Sequence, residues 1–114
     1  MEQVNWYNEF SGAITICNAK GIILYMNRTA GDVFKKYGGL KLIGQSVLDC
    51  HPVPARTKLL RMLKSRKPNV YTIEKKSVKK IIFQAPWYLK GKYKGFVEFS
   101  IEVPFKMSHF VRGG

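Results

Sequence analysis

The last third of the chain carries the pattern that most restricts its fold. Val97, Phe99, Ile101 and Val103 alternate with Glu98, Ser100 and Glu102. A period of two places the first set on one face of a β-strand and the second set on the other, so this segment predicts a sheet with one buried face. The four apolar residues are expected to face inward. Two earlier segments, Val70-Tyr71-Thr72-Ile73 and Ile81-Ile82-Phe83-Gln84-Ala85, are rich in β-branched and aromatic residues and read as strands of the same meander. Ser77, among Lys75, Lys76, Lys79 and Lys80, supplies one turn, and Gly91 opens the other.

The N-terminal part reads differently. Val4, Trp6, Tyr7 and Phe10 can form an apolar stripe on a short helix over residues 3 to 10, broken by Ser11-Gly12. Ala13 to Cys17 and Ile22 to Met26 are short apolar segments on either side of Asn18-Ala19-Lys20-Gly21, which predicts a β-hairpin. Asn27 is a good N-cap for a helix running to about Tyr37, which Gly38-Gly39 ends. Ser46 can cap a single turn over Val47 to Cys50, and Pro54 suits the first turn of a longer helix over residues 54 to 67. On that helix Leu59, Leu60, Met62 and Leu63 gather on one side, and Lys58, Arg61 and Lys64 on the other. The order is a helical cap, two strands, three short helices and three strands. Such an order folds as an antiparallel sheet with the helices massed on one face, an α+β arrangement.

Composition bounds the function. At 114 residues, with 46% apolar and 24% charged residues, the chain is expected to form one folded domain. The longest apolar runs fall far below the roughly 20 residues that span a bilayer, and the N-terminus lacks the features of a secretory signal. A cytoplasmic location without a membrane span is expected. The two cysteines, Cys17 and Cys50, show no metal-ligand spacing and are expected to be reduced. The formal net charge of +13, from 20 Lys and Arg against 7 Asp and Glu, attracts polyanions and also keeps a small domain soluble.

Gly21-Ile22-Ile23-Leu24-Tyr25-Met26-Asn27 resembles the second strand of the PAS domain family, which ends in an asparagine helix cap. Leu42-Ile43-Gly44-Gln45-Ser46 is similar to the family's hydrophobic-Ile-Gly-x-Ser passage, and Gly95-Phe96-Val97-Glu98 to the glycine that starts its last strand. The likeness implies a PAS-like five-stranded antiparallel sheet with helices packed on one face. It divides the chain into an N-terminal cap (1–11), a PAS-like sensor domain (12–104) and a C-terminal tail (105–114). The family's acidic-Ile-Thr exit is replaced here by Glu102-Val103-Pro104. No attached output domain is expected after it, so a signal would pass to a separate effector protein. The likeness further implies a ligand cavity between sheet and helices, and often a dimer through the N-terminal helix or the sheet's outer face.

Several residues are then candidates for the site. Tyr25, Met26, Met62, Phe83, Gln84, Trp87 and Phe99 come from elements such a fold draws around one space; plain core packing is the competing reading. Gln84, a polar residue among apolar neighbours, either faces solvent by alternation or reads a ligand. Cys50 and His51, before the long helix, could ligate haem iron or another metal, or could be a packing residue and a helix-end cap. The asparagine-cysteine-arginine-phenylalanine motif of flavin-binding photoreceptor PAS domains is absent, so flavin is not expected. Val4, Trp6, Tyr7 and Phe10 are candidates for a homodimer interface. The basic residues Lys58, Arg61, Lys64, Arg66 and Lys67 and the Lys75 to Lys80 hairpin suggest nucleic acid as an alternative partner, but no recognised nucleic-acid-binding motif accompanies them. The acidic residues form no catalytic pair and no Ser or Thr stands with a His in a nucleophile motif, so the expectation is a binding module rather than an enzyme.

Overall fold

The structure, a computed structural model, describes residues 4–49 and 53–114. Its strands are β1 (Ala13–Asn18), β2 (Ile23–Met26), β3 (Asn69–Lys75), β4 (Val78–Leu89) and β5 (Lys92–Val103), and its α-helices are α1 (Arg28–Val33) and α2 (Val53–Ser65). The strands form one five-stranded sheet in the order β2-β1-β5-β4-β3, and every neighbouring pair is antiparallel. The last strand in sequence is therefore the central one. The fold class is α+β, as the sequence predicts.

Local chemistry explains the joints. Lys76-Ser77 and Lys90-Gly91 are two-residue turns in which both residues of each have positive φ, the backbone twist that tight hairpins need. The helix expected to reach Tyr37 is shorter. α1 stops at Val33, and 3-10 turns at Lys35–Tyr37 and Gly39–Leu42 carry the chain onward. The N-terminal segment expected as a helix contains one 3-10 turn, Trp6–Asn8.

The core sits between the helices and one face of the sheet. Ala13, Ile23, Met26, Ala30 and Leu42 are buried together there, and Cys17, Leu63 and Phe96 form a second cluster under α2. Tyr93 ties the two layers by donating its hydroxyl to the Leu63 carbonyl at 2.8 Å.

Register overturns one expectation. Cys17 pairs with Phe96 and Thr15 with Glu98, so on β5 from Phe96 onward, past the register irregularity at Trp87/Tyr88, the even-numbered residues share the helix-covered face. Val97, Phe99, Ile101 and Val103 lie on the opposite face, across from Ile14, Ile16, Ile81, Phe83 and Ala85. An alternating pattern separates two faces, but it does not say which one the helices cover. Here the outer face is the more apolar one. All four residues are half-buried, and the N-terminal segment contributes at one end, where Phe10 and Ile101 flank Gly12 so closely that a Cβ there would lie 3.0 Å from each side chain.

Candidate ligand cavity

The helix-covered face does not fill its own space. α2 turns Leu59, Met62 and Leu63 toward the sheet, the 3-10 segment supplies Leu42, and α1 and its cap approach through Phe34. Between them and the strands lies a cavity of about 510 Å³. Ile23, Met26, Val47 and Phe96 complete its apolar lining. Its size and lining are those of a small-molecule site, which commonly adds a few placed polar groups to an apolar wall.

Those polar groups form a row across the sheet. Asn69 pairs with Gln84, Gln84 with Glu98, and Glu98 with Thr15, so four adjacent strands each contribute one polar residue at the same level of the same face. Asn69 Nδ2 donates to Gln84 Oε1 at 2.9 Å, and Gln84 Nε2 donates to Glu98 Oε2 at 2.7 Å. Gln84 is buried, and these bonds satisfy both its carbonyl and its amide, which removes the penalty of burying them. The question that alternation left open for Gln84 has a geometric answer: it belongs to the cavity wall.

The groups around the row keep their protons. Burial, and then the Glu98 charge, raise the Tyr71 hydroxyl above the usual phenol range. Burial is also the main cause that pushes the Cys17 thiol up; the backbone N–H of Phe96 acts against it, and Glu98 adds to it. At neutral pH the cavity therefore presents a neutral thiol and a neutral phenol beside Glu98. Lys58 sits at the rim with its ammonium 5.9 Å from the Tyr71 ring centroid. Because the thiolate is the reactive form, Cys17 should resist alkylation. In a Cys50→Ser chain, iodoacetamide labelling at pH 8 should run at least about tenfold slower than for a free peptide thiol, and should accelerate as pH rises beyond the ordinary thiol range. Labelling at the peptide rate would place Cys17 in the open.

Of the residues singled out from sequence, Met26, Met62 and Gln84 line the cavity. Phe83 and Phe99 pair with each other on the outer face, on strands whose opposite sides carry Gln84 and Glu98. Tyr25 turns to the N-terminal segment, where its hydroxyl donates to Asn8 Oδ1 and its ring stands edge-on to Tyr7. Trp87 donates its indole N–H to the Cys17 carbonyl at 3.0 Å, bracing β4 against β1 across Gly95. Val4 and Trp6 are exposed, and Trp6 packs edge-to-face on Tyr7 and Phe10. Cys50 and His51 lie outside the described residues. Sequence reasoning missed Thr15, Cys17, Asn69, Tyr71 and Glu98. The available signal was the polar half of the alternation in β5, which was assigned to solvent.

Among the described residues no group of three or more His, Cys, Asp and Glu side chains could hold a metal ion. For haem, the described lining supplies no imidazole, and its sulfur groups are a protonated thiol and the thioethers of Met26 and Met62. No described helix is long and apolar enough to cross a membrane.

No protein-family model and no curated protein matches the chain. Solved structures do. A C-terminal domain from Streptococcus mutans superposes with a TM-score of 0.67 at 21% identity, over 85% of this chain and 79% of that one. The Aer2 receptor of Vibrio cholerae, a dual PAS-haem oxygen sensor, gives 0.58 at 19% identity, over 82% and 95%. The PAS domain of an HTR-like protein from Haloarcula marismortui gives 0.60 at 13% identity, over 86% and 91%.

Proposed function

We propose, from the PAS fold that this chain has, that it is a sensory module which binds a small molecule in the cavity beneath α2 and passes occupancy on through contact with another protein chain. The observation that carries this reading is the cavity itself. A void of about 510 Å³ beside a buried amide bonded at both its oxygen and its nitrogen is more than the packing of a 114-residue domain requires. Ligand binding to the folded state alone raises stability by mass action, by about 2.7 kcal/mol at a hundred times Kd. A thermal scan of the intact chain against a panel of small aromatic amines, acids and neutral heterocycles should therefore find compounds that raise Tm by several degrees. Met62→Trp, which fills the cavity from α2, should keep the fold and abolish those shifts. A panel without a single shift, or shifts that persist in Met62→Trp, would count against the cavity as the site.

Signalling by a domain of this kind needs a second surface. The N-terminal segment bearing Val4, Trp6, Tyr7 and Phe10 is the proposed homodimer contact, since Val4 and Trp6 leave large apolar surfaces uncovered. A net charge of +13 opposes association, so dimerisation should strengthen with salt as the repulsion is screened. Sedimentation of the chain with and without residues 1–10 tests this: a salt-strengthened dimer lost on truncation is expected, and a monomer at every concentration and salt level would refute it. The nucleic-acid alternative has less support, because no recognised nucleic-acid-binding motif accompanies the basic residues; of the aromatics that could stack on bases, Trp87 is held by the Cys17 carbonyl, while Tyr71 and Tyr88 are exposed.

A further inference from the structure

The polar row on the cavity wall has a direction. Asn69 donates to Gln84 and Gln84 donates to Glu98, so each amide N–H points toward β5 and the row ends on an acceptor. That acceptor is a carboxylate on the central strand, and only its Oε2 receives the Gln84 bond. Among the described residues Glu98 has no ion pair, although Lys and Arg outnumber Asp and Glu by 20 to 7 in the chain. Lys58 is the basic residue at the rim, and its ammonium lies over the Tyr71 ring instead of on Glu98. A half-buried carboxylate on the wall of an apolar cavity, with no ion-pair partner among the described residues, leaves one negative charge for a ligand to match. A cationic ligand supplies that match, and one that brings a second negative charge or only hydrocarbon does not.

Resting on the cavity reading above, we infer that the ligand is a cationic amphiphile: a protonated amine or amidine whose N–H groups donate to the Glu98 carboxylate, joined to an apolar body that lies against Met26, Met62 and Phe96. The bond formed is charge-assisted, the stronger class of hydrogen bond. Gln84 contributes as a positioning residue, because its bond to Oε2 fixes the carboxylate and leaves Oε1 to the ligand. Anionic molecules of the same shape are rejected by repulsion from Glu98.

Matched probes test this on the intact chain: 2-phenylethylamine as the cation, 3-phenylpropionate as the anion and toluene as the neutral body. Binding is read by NMR from the methyl resonances of Met26 and Met62 and the side-chain amide of Gln84, so that contacts elsewhere on the basic surface do not register. The amine should bind roughly tenfold or more tighter than the carboxylate. Glu98→Gln retains an acceptor for Gln84 Nε2 and should keep the fold, verified by its amide spectrum, yet it should lose roughly tenfold or more of the amine affinity and gain affinity for the carboxylate. If toluene binds but the amine has no advantage over the carboxylate, or if Glu98→Gln leaves the amine affinity unchanged, the inferred ligand class is wrong while the cavity remains a binding site. If none of the three probes moves the cavity resonances, the cavity reading and the inference fall together.

Discussion

Gly95→Ala is expected to destabilise the domain by at least about 3 kcal/mol, measured as a lower urea midpoint, or to prevent folding altogether. Gly95 is buried on β5, opposite Asn18 of β1, with φ +144, a conformation that side chains rarely adopt. A Cβ at this position would run into the Cys17 carbonyl oxygen and approach the Asn18 carbonyl carbon to 2.6 Å. Those atoms are backbone of the neighbouring strand β1 and cannot rotate away. The two strands would have to part, and the Trp87 bond to that same Cys17 carbonyl would be lost with them. A typical domain has about 5–15 kcal/mol of stability in total, so one methyl group would remove a large share of it. A Gly95→Ala chain within about 0.5 kcal/mol of the parent would show that β1 and β5 do not approach this closely.

Asn27→Ala should cost about 4 kcal/mol, the sum expected for a lost helix cap and for buried backbone groups left without partners. Asn27 is 1% exposed. Its Oδ1 accepts from Ile14 N at 3.0 Å and from Ala30 N at 2.9 Å, so the same oxygen caps α1 and anchors β1. Its Nδ2 donates to the Tyr7 and Gly12 carbonyls, both at 2.9 Å, and so holds the N-terminal segment against the domain. Every hydrogen-bonding site of the amide is used. Asn27→Asp preserves the two bonds its oxygen accepts but sets an oxygen against the two carbonyls, and it should recover little. The check is equilibrium unfolding of both variants with hydrogen exchange at Ile14 and Ala30. A loss below about 1 kcal/mol in Asn27→Ala would mean that water replaces the amide at little cost.

These two residues also mark how far the sequence could be read. Asn27 was recognisable as a cap because asparagine after a strand and before a helical pattern has one common use, whereas Gly95, read as the start of the last strand, lies inside β5, which begins at Lys92. The sheet, its meander and the long helix followed from periodicity, which is a local property. The orientation of β5 did not. Whether Glu98 or Val97 faces the helices depends on register with β1, a pairing between residues about eighty positions apart, and both faces of this sheet carry apolar residues. Expecting the apolar set inside was the ordinary inference; it sent Phe83 and Phe99 to the cavity and Glu98 to solvent. Met26, Met62 and Gln84 were placed near the space because each lies on an element whose position the fold alone decides. The polar row needed four strands in register, and no window of sequence contains it.

The helix-covered face encloses an accessible cavity. Xenon tests it directly, since this gas enters apolar voids without needing any particular functional group. With the intact chain under xenon pressure, the methyl resonances of Met26, Met62 and Leu63 should shift and saturate together, while those of Ile81 and Ile101 on the outer face should stay in place. Lining methyls that do not respond, beside outer-face methyls that do, would contradict the account by showing that the void, and the site proposed for it, lie on the other side of the sheet.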